Sequence, residues 1–130
     1  LGLNYLWHYV VFDWLAGSGL DEWTIDWMQE LRRAGVGRWT LILSFCIVPA
    51  VTEEVAFRGL MQHWLGVAIK PIHALLVASA LFAALHLAVY SFPILFVVGM
   101  LLGWTKMKTR SLYPSMAIHF LHNLAVIELF

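Results

Sequence analysis

The stretch "WTLILSFCIVPAVTEEVAFRG", Trp39 to Gly59, decides how this chain folds. From Trp39 to Val51 it carries no charge, and then Glu53, Glu54 and Arg58 arrive together. Taken on to about Trp64, the stretch is long enough for a membrane-spanning helix, which needs about 20 residues. Ionisable groups inside such helices are rare, and they face the bundle interior or an aqueous cavity rather than lipid. Glu54 and Arg58 stand four apart and so share a helical face, with Glu53 one position around it. Pro49 lies four residues before Glu53. Lacking an N–H, it leaves the Phe45 carbonyl without its usual donor and predicts a bend close to the glutamates.

Composition agrees with that reading. Of 130 residues, 62% are hydrophobic and 12% charged, against roughly 45–50% and about 25% in soluble domains. The fold class that follows is all-α: a polytopic transmembrane helix bundle, read as a fragment of a longer membrane protein because the chain opens at Leu1 in apolar sequence. Eight basic and eight acidic residues balance, which gives no reason to expect a nucleic-acid partner. The single cysteine, Cys46, lies in an apolar run and is expected to pack as a small hydrophobe.

Residues 1–16 are apolar and aromatic but short for a span, and read as the end of a truncated one; Gly17 to Gly19 then break the chain. From Leu20 to Arg33, Trp23, Trp27 and Leu31 recur at helical spacing with acids on the other faces. Gly35 is the expected C-terminal stop. The two tryptophans suit an amphipathic helix at the membrane interface, and an ordinary packed connector fits equally well. Residues 1–37 are therefore set apart from a core of 38–130. In that core the membrane segments are Trp39 to about Trp64, Pro71 to Phe92, Pro93 to Trp104 with the basic cluster Lys106, Lys108 and Arg110 after it, and Leu112 to the end. Short connections predict antiparallel neighbours. The basic clusters before the first segment (Arg32, Arg33, Arg38) and after the third fall on opposite sides if all three segments span. Both cannot then obey the positive-inside rule.

Three of these segments carry polar groups at helical spacing: "EEVAFR" at 53–58, "FAALH" at 82–86 and "HFLHN" at 119–123. Helices bearing such faces are expected to converge on one polar site. Side-by-side carboxylates repel, and burial penalises their ionised forms, which readies one to accept a proton. An arginine beside them opposes that shift and orients a carboxylate through charge-assisted hydrogen bonds. Glutamate with histidine is a pair that activates water as general base; a second histidine and an asparagine are donors for a developing oxyanion. One carboxylate with two histidines, Glu53, His86 and His119, also matches the ligand set of a catalytic zinc, although HExxH spacing is absent. A proton relay in a proton-coupled transporter or channel, and a non-catalytic membrane scaffold, use the same residue types. No inverted repeat of the transporter kind is visible. His8, His63 and His73 lie near segment ends, where interfacial placement accounts for them.

In this order, the three motifs resemble those of the CAAX-protease and bacteriocin-processing (abortive-infection) family of intramembrane proteases: EExxxR as "EEVAFR", FxxxH as "FAALH" and HxxxN as "HFLHN". The likeness runs from Arg38 to Ile127 and takes in the glycine-containing "GMLLGW" at 99–104. It implies a multi-pass membrane endopeptidase, in the plasma membrane if bacterial, that acts on membrane-associated or prenylated peptides and contacts membrane lipid. By the resemblance, Glu53 is the general base and Glu54 its supporting neighbour, while Arg58 orients the carboxylates. His86 shares in activating water, and His119 and Asn123 stabilise the oxyanion. Metal-free and zinc-dependent mechanisms are both compatible with the family. His122 matches no position of the motif and is left to face another helix.

Overall fold

The computed structural model describes residues 29–87 and 91–129, which form helices and short connections with no strand among them. A helical turn at 29–33 ends at Gly35, whose φ is +81°. The Val36 N–H reaches Leu31 O at 3.0 Å and the Gly35 N–H reaches Arg32 O at 3.1 Å. This is the Schellman arrangement that favours glycine in the left-handed region, so the expected stop is met. The apolar stretch at 1–16, the Gly17–Gly19 break and the tryptophan-bearing part of the interfacial helix lie outside the described residues.

Helix α1 runs Arg38–Ala68 without interruption. Two connecting residues lead to α2, Pro71–Leu85, whose proline occupies the first turn, where a missing N–H costs nothing. Helix α3 is Phe92–Thr109 and α4 is Tyr113–Leu129. Helix α2 stops short of the expected Phe92. At its end the His86 N–H turns back to Ala83 O and the Leu87 N–H to Ala84 O, and Leu87 takes a left-handed φ of 55°. Tightening the last turn in this way frees the Phe82 carbonyl, and the His86 ring takes it over through Nδ1 at 2.7 Å. A side chain rather than a glycine therefore ends the helix, which is why no breaker residue announced it.

The interior side of α1 has an unusual spacing. Ile42, Cys46, Ala50, Glu54, Arg58 and Gln62 are all buried, each four residues after the last. In an α-helix a step of four overshoots a full turn by about 40°, so five such steps would carry the stripe roughly 200° around. Two π-helical stretches, Leu43–Ile47 and Glu54–Met61, absorb that drift. Their hydrogen bonds span five residues, as from the Val48 N–H to Leu43 O and the Gln62 N–H to Phe57 O. Wide turns of this kind recur at functional sites, and here they keep one α1 face inward over its whole length.

Helix α1 contacts the other three, and α2 with α3 forms the most extensive pair. Cys46 packs with Ile42 and Ile127, with Phe120 and Leu124 beside them, so the expected hydrophobic role of the cysteine holds. The burial pattern is inverted relative to a water-soluble domain. Glu54, Arg58, Gln62, Ser79, Ser91, Ser115 and His119 are inside, while Trp39, Leu60, Trp64, Val67, Val97 and Leu121 are exposed. An apolar exterior around ionisable groups is the pattern of a protein solvated by lipid. Helix α1 is long and apolar enough to cross a membrane. Helix α2, though apolar, spans only about 22 Å at 1.5 Å per residue.

Candidate active site

The site is built on Glu54, whose side chain is fully buried. Its Oε1 accepts from Arg58 Nη1 at 2.9 Å, one turn along α1, and from His119 Nδ1 at 3.0 Å, across on α4. An ionised carboxylate only accepts, so the hydrogen of the second bond sits on Nδ1 of His119. The other imidazole nitrogen, Nε2, faces Glu53 Oε2 at 3.8 Å. His119 thus bridges the two glutamates, with one nitrogen committed and the other turned towards Glu53.

Arg58 is almost as buried as its partner and has a further anchor, donating from Nη2 to the Gly99 carbonyl at 3.0 Å. Its guanidinium also lies 4.4 Å from the Phe82 ring centroid and 5.8 Å from that of Phe57, a cation–π packing that suits a desolvated charge. One turn further on, Gln62 Nε2 donates to Gly103 O at 3.3 Å. Successive inward residues of α1 therefore meet successive carbonyls of the α3 "GMLLG" stretch. Glycine makes room at both α3 positions, against backbone at 99 and against side-chain ends at 103. A Cβ at 99 would stand 3.1 Å from Ser79 Cβ and 3.2 Å from Ser79 Cα, and one at 103 would collide with Leu75 Cδ1. Small residues let membrane helices approach this closely, and the approach brings a backbone carbonyl to Arg58.

Glu53 has a different environment. About a third of its side chain is exposed (32%), and it accepts no hydrogen bond among the described residues; its enclosed Oε2, like that of Glu54, has no partner. His86 lies on the far side of Phe82: the phenyl ring is 4.7 Å from the His86 ring and 5.8 Å from that of His119. Because Phe82 O can only accept, His86 carries its proton on Nδ1 and leaves Nε2 with a free lone pair. His86 itself is exposed. Asn123 donates from Nδ2 to Phe45 O at 3.1 Å, the carbonyl four residues before Pro49. His122 is half-buried on α4.

Glu53, Glu54, Arg58 and His119 are thus drawn into one cluster, with His86 across an aromatic ring from it and Asn123 one α4 turn beyond His119. The zinc set of Glu53, His86 and His119 is not gathered: among the described residues, no three His, Cys, Asp or Glu side chains form a group able to hold a metal ion. Nδ1 of both histidines is taken up by a carbonyl or a carboxylate, the arrangement in which Nε2 is the nitrogen left to meet a metal. Sequence reading missed Gln62 and the Gly99 and Gly103 carbonyls. The four-residue spacing from Ile42 to Gln62 was a signal for the first of these, while a backbone acceptor leaves no mark in residue type.

No curated protein and no solved structure matches the chain. A family model does, over residues 35–125, a stretch that takes in all three motifs and ends just past Asn123. That match covers well over half of the molecule, and the chain accordingly belongs to the type II CAAX prenyl endopeptidase Rce1-like family.

Proposed function

We propose that the chain is a multi-pass intramembrane endopeptidase that hydrolyses peptide bonds in membrane-associated or prenylated substrates, with a water activated by Glu53 and His86. The observation that carries this reading is the contrast between neighbouring carboxylates. Both keep an unpartnered Oε2, but Glu54 is fully buried with its Oε1 held by Arg58 and His119, whereas about a third of the Glu53 side chain is open and it accepts no hydrogen bond among the described residues. A general base needs a free lone pair and room for water.

In the proposed sequence Glu53 takes a proton from water as the water oxygen attacks the scissile carbonyl carbon. His86 Nε2 accepts a hydrogen bond from that water and fixes its direction. The resulting oxyanion takes hydrogen bonds from His119 Nε2–H, which requires a proton on each ring nitrogen, and from the second Nδ2 hydrogen of Asn123. Glu53 then gives its proton to the leaving nitrogen as the C–N bond breaks. Arg58 holds Glu54, and through it His119, without touching substrate.

The test compares cleavage of prenylated and unprenylated reporter peptides by the purified full-length protein and by its Glu53→Gln, His86→Ala and His119→Ala variants, with bound metal measured on the active preparation. The expected result is cleavage lost in Glu53→Gln and retained after chelation. Cleavage by Glu53→Gln at the wild-type rate would sink the assignment. Stoichiometric zinc whose removal abolishes turnover would put a metal in place of the Glu53–His86 pair.

A further inference from the structure

The opposite end of the bundle carries a second polar feature. Arg38 pairs with Glu128 at 2.8 Å, which puts the start of α1 beside the end of α4. The other end therefore gathers the close of α1, the start of α2, the close of α3 and the start of α4. It carries Lys70, Lys106, Lys108 and Arg110, and no acidic residue occurs in the sequence between Glu54 and Glu128. The two ends thus differ: at the first, Arg38 has a carboxylate partner and Arg32 donates to Ile127 O, whereas at the second no ion pair forms among the described residues.

Within this basic end lies a cavity of about 220 Å³, lined by Gln62, His63 and Gly66 of α1, Pro71 and Ala74 of α2, and Lys106 of α3. It is smaller than the ~300–1,000 Å³ typical of drug-sized ligands, which suits a headgroup rather than a whole lipid. Gln62, which lines this cavity, is 4% exposed, and its enclosed Oε1 has no hydrogen-bond partner. The start of α2 has no side-chain cap and adds its positive dipole end. Depth is marked by Trp64, next to His63, and by Trp104, two residues before Lys106; they are 69% and 51% exposed. Tryptophans so placed collect at headgroup level.

We propose that this cavity binds the phosphate of an anionic phospholipid headgroup, with Lys106 as its cation and Gln62 Oε1 accepting from a headgroup hydroxyl. Phosphatidylglycerol has both groups. The site is separate from the Glu53–Glu54 cluster and does not depend on the reaction assigned to it.

The full-length protein in detergent is titrated with short-chain phosphatidylglycerol, phosphatidylcholine or inorganic phosphate, with thermal midpoint and lipid retention in native mass spectrometry as readouts. Phosphatidylglycerol is expected to raise the midpoint and be retained, and the other two are not. Lys106→Gln should weaken the response roughly five-fold, as for the loss of one lysine at an anionic surface. Gly66→Leu should remove it by filling the cavity; a Cβ at 66 meets nothing within 4 Å, so this variant is expected to fold. Lys108→Gln, whose ammonium lies over Trp104 outside the cavity, should respond like wild type. An equal shift with phosphatidylcholine, or an equal shift with inorganic phosphate alone, overturns the proposal. So does a response that survives Gly66→Leu, or one lost equally in Lys106→Gln and Lys108→Gln, which is diffuse surface attraction.

Discussion

Glu53 and Glu54 are adjacent in sequence and differ in almost everything else. Glu54 is fully buried, and its Oε1 receives Arg58 and His119. Glu53 is a third exposed, and the nitrogen it faces, His119 Nε2, is 3.8 Å away. One residue of helix turns a side chain by about 100°. Here that rotation separates a carboxylate pointing into the contact with α3 and α4 from one at its edge. The Glu54 Oε1 is taken up by two donors, while its neighbour accepts no hydrogen bond among the described residues and stands open to water. The pair divides into an anchor and a reagent.

The comparison is broken most directly at Glu53. Glu53→Gln preserves shape and removes the base, so cleavage is expected to fall by about 10²–10⁴ while the thermal midpoint stays near wild type. Glu54→Gln should lower both. An inactive but fully stable Glu54→Gln beside an active Glu53→Gln would reverse the two roles. Next in size is Arg58. Arg58→Ala leaves Glu54 buried without its cation, a change that costs about 3–5 kcal/mol where buried pairs have been broken. Replacing both members, Glu54→Leu with Arg58→Leu, should recover much of that stability and none of the activity. Chemical denaturation of the three proteins measures the difference.

Gly99 and Gly103 sharpen the same contrast at smaller cost. Gly99→Ala must part α3 from the Ser79 backbone by a few tenths of an ångström and so shift the Gly99 carbonyl that holds Arg58. An overpacking cost of about 1–3 kcal/mol is expected, together with a lower kcat at unchanged KM. At Gly103 the obstructing atoms are the far ends of Leu75 and Gln62, which can rotate aside. Gly103→Ala should therefore reduce stability less and leave kcat unchanged. Equal loss of kcat in both would mean that helix packing as a whole, rather than the Gly99 carbonyl, positions the cluster.

Much of this was legible in the residues. Charges in an apolar run, repeated at helical spacing on three segments, announced a helical bundle with a polar interior, and Glu53, Glu54, Arg58 and His119 do meet. Other features depend on backbone detail that residue type does not carry. The π turns of α1 are visible only as a four-residue spacing, which becomes meaningful once burial shows that the face stays inward. The end of α2 is made by the His86 ring on Phe82 O, in a stretch with neither glycine nor proline. The balance between the two basic clusters also needed coordinates, because Glu128 lies 90 residues from the Arg38 it accompanies. The family match confirms the protease reading at its broad level, and the membrane-embedded character with it.

The smallest effect concerns Asn123, which stands between the anchored and the reactive parts of the site. Its amide donates to Phe45 O, the carbonyl four residues before Pro49, which has no N–H to offer it. In a Pro49 background, Asn123→Ala should cost about 0.5–1.5 kcal/mol, the net worth of one hydrogen bond. In Pro49→Ala the new backbone N–H can serve Phe45 O, and the same substitution should cost close to nothing. A double-mutant cycle on thermal or denaturant stability reads that coupling directly. The catalytic assignment makes a separate demand: if the second Nδ2 hydrogen serves the oxyanion, Asn123→Ala must lower kcat in both backgrounds, whichever group satisfies Phe45. Coupling in stability with activity unchanged in the Pro49→Ala background would make Asn123 a brace for the proline-interrupted helix and leave the oxyanion to His119.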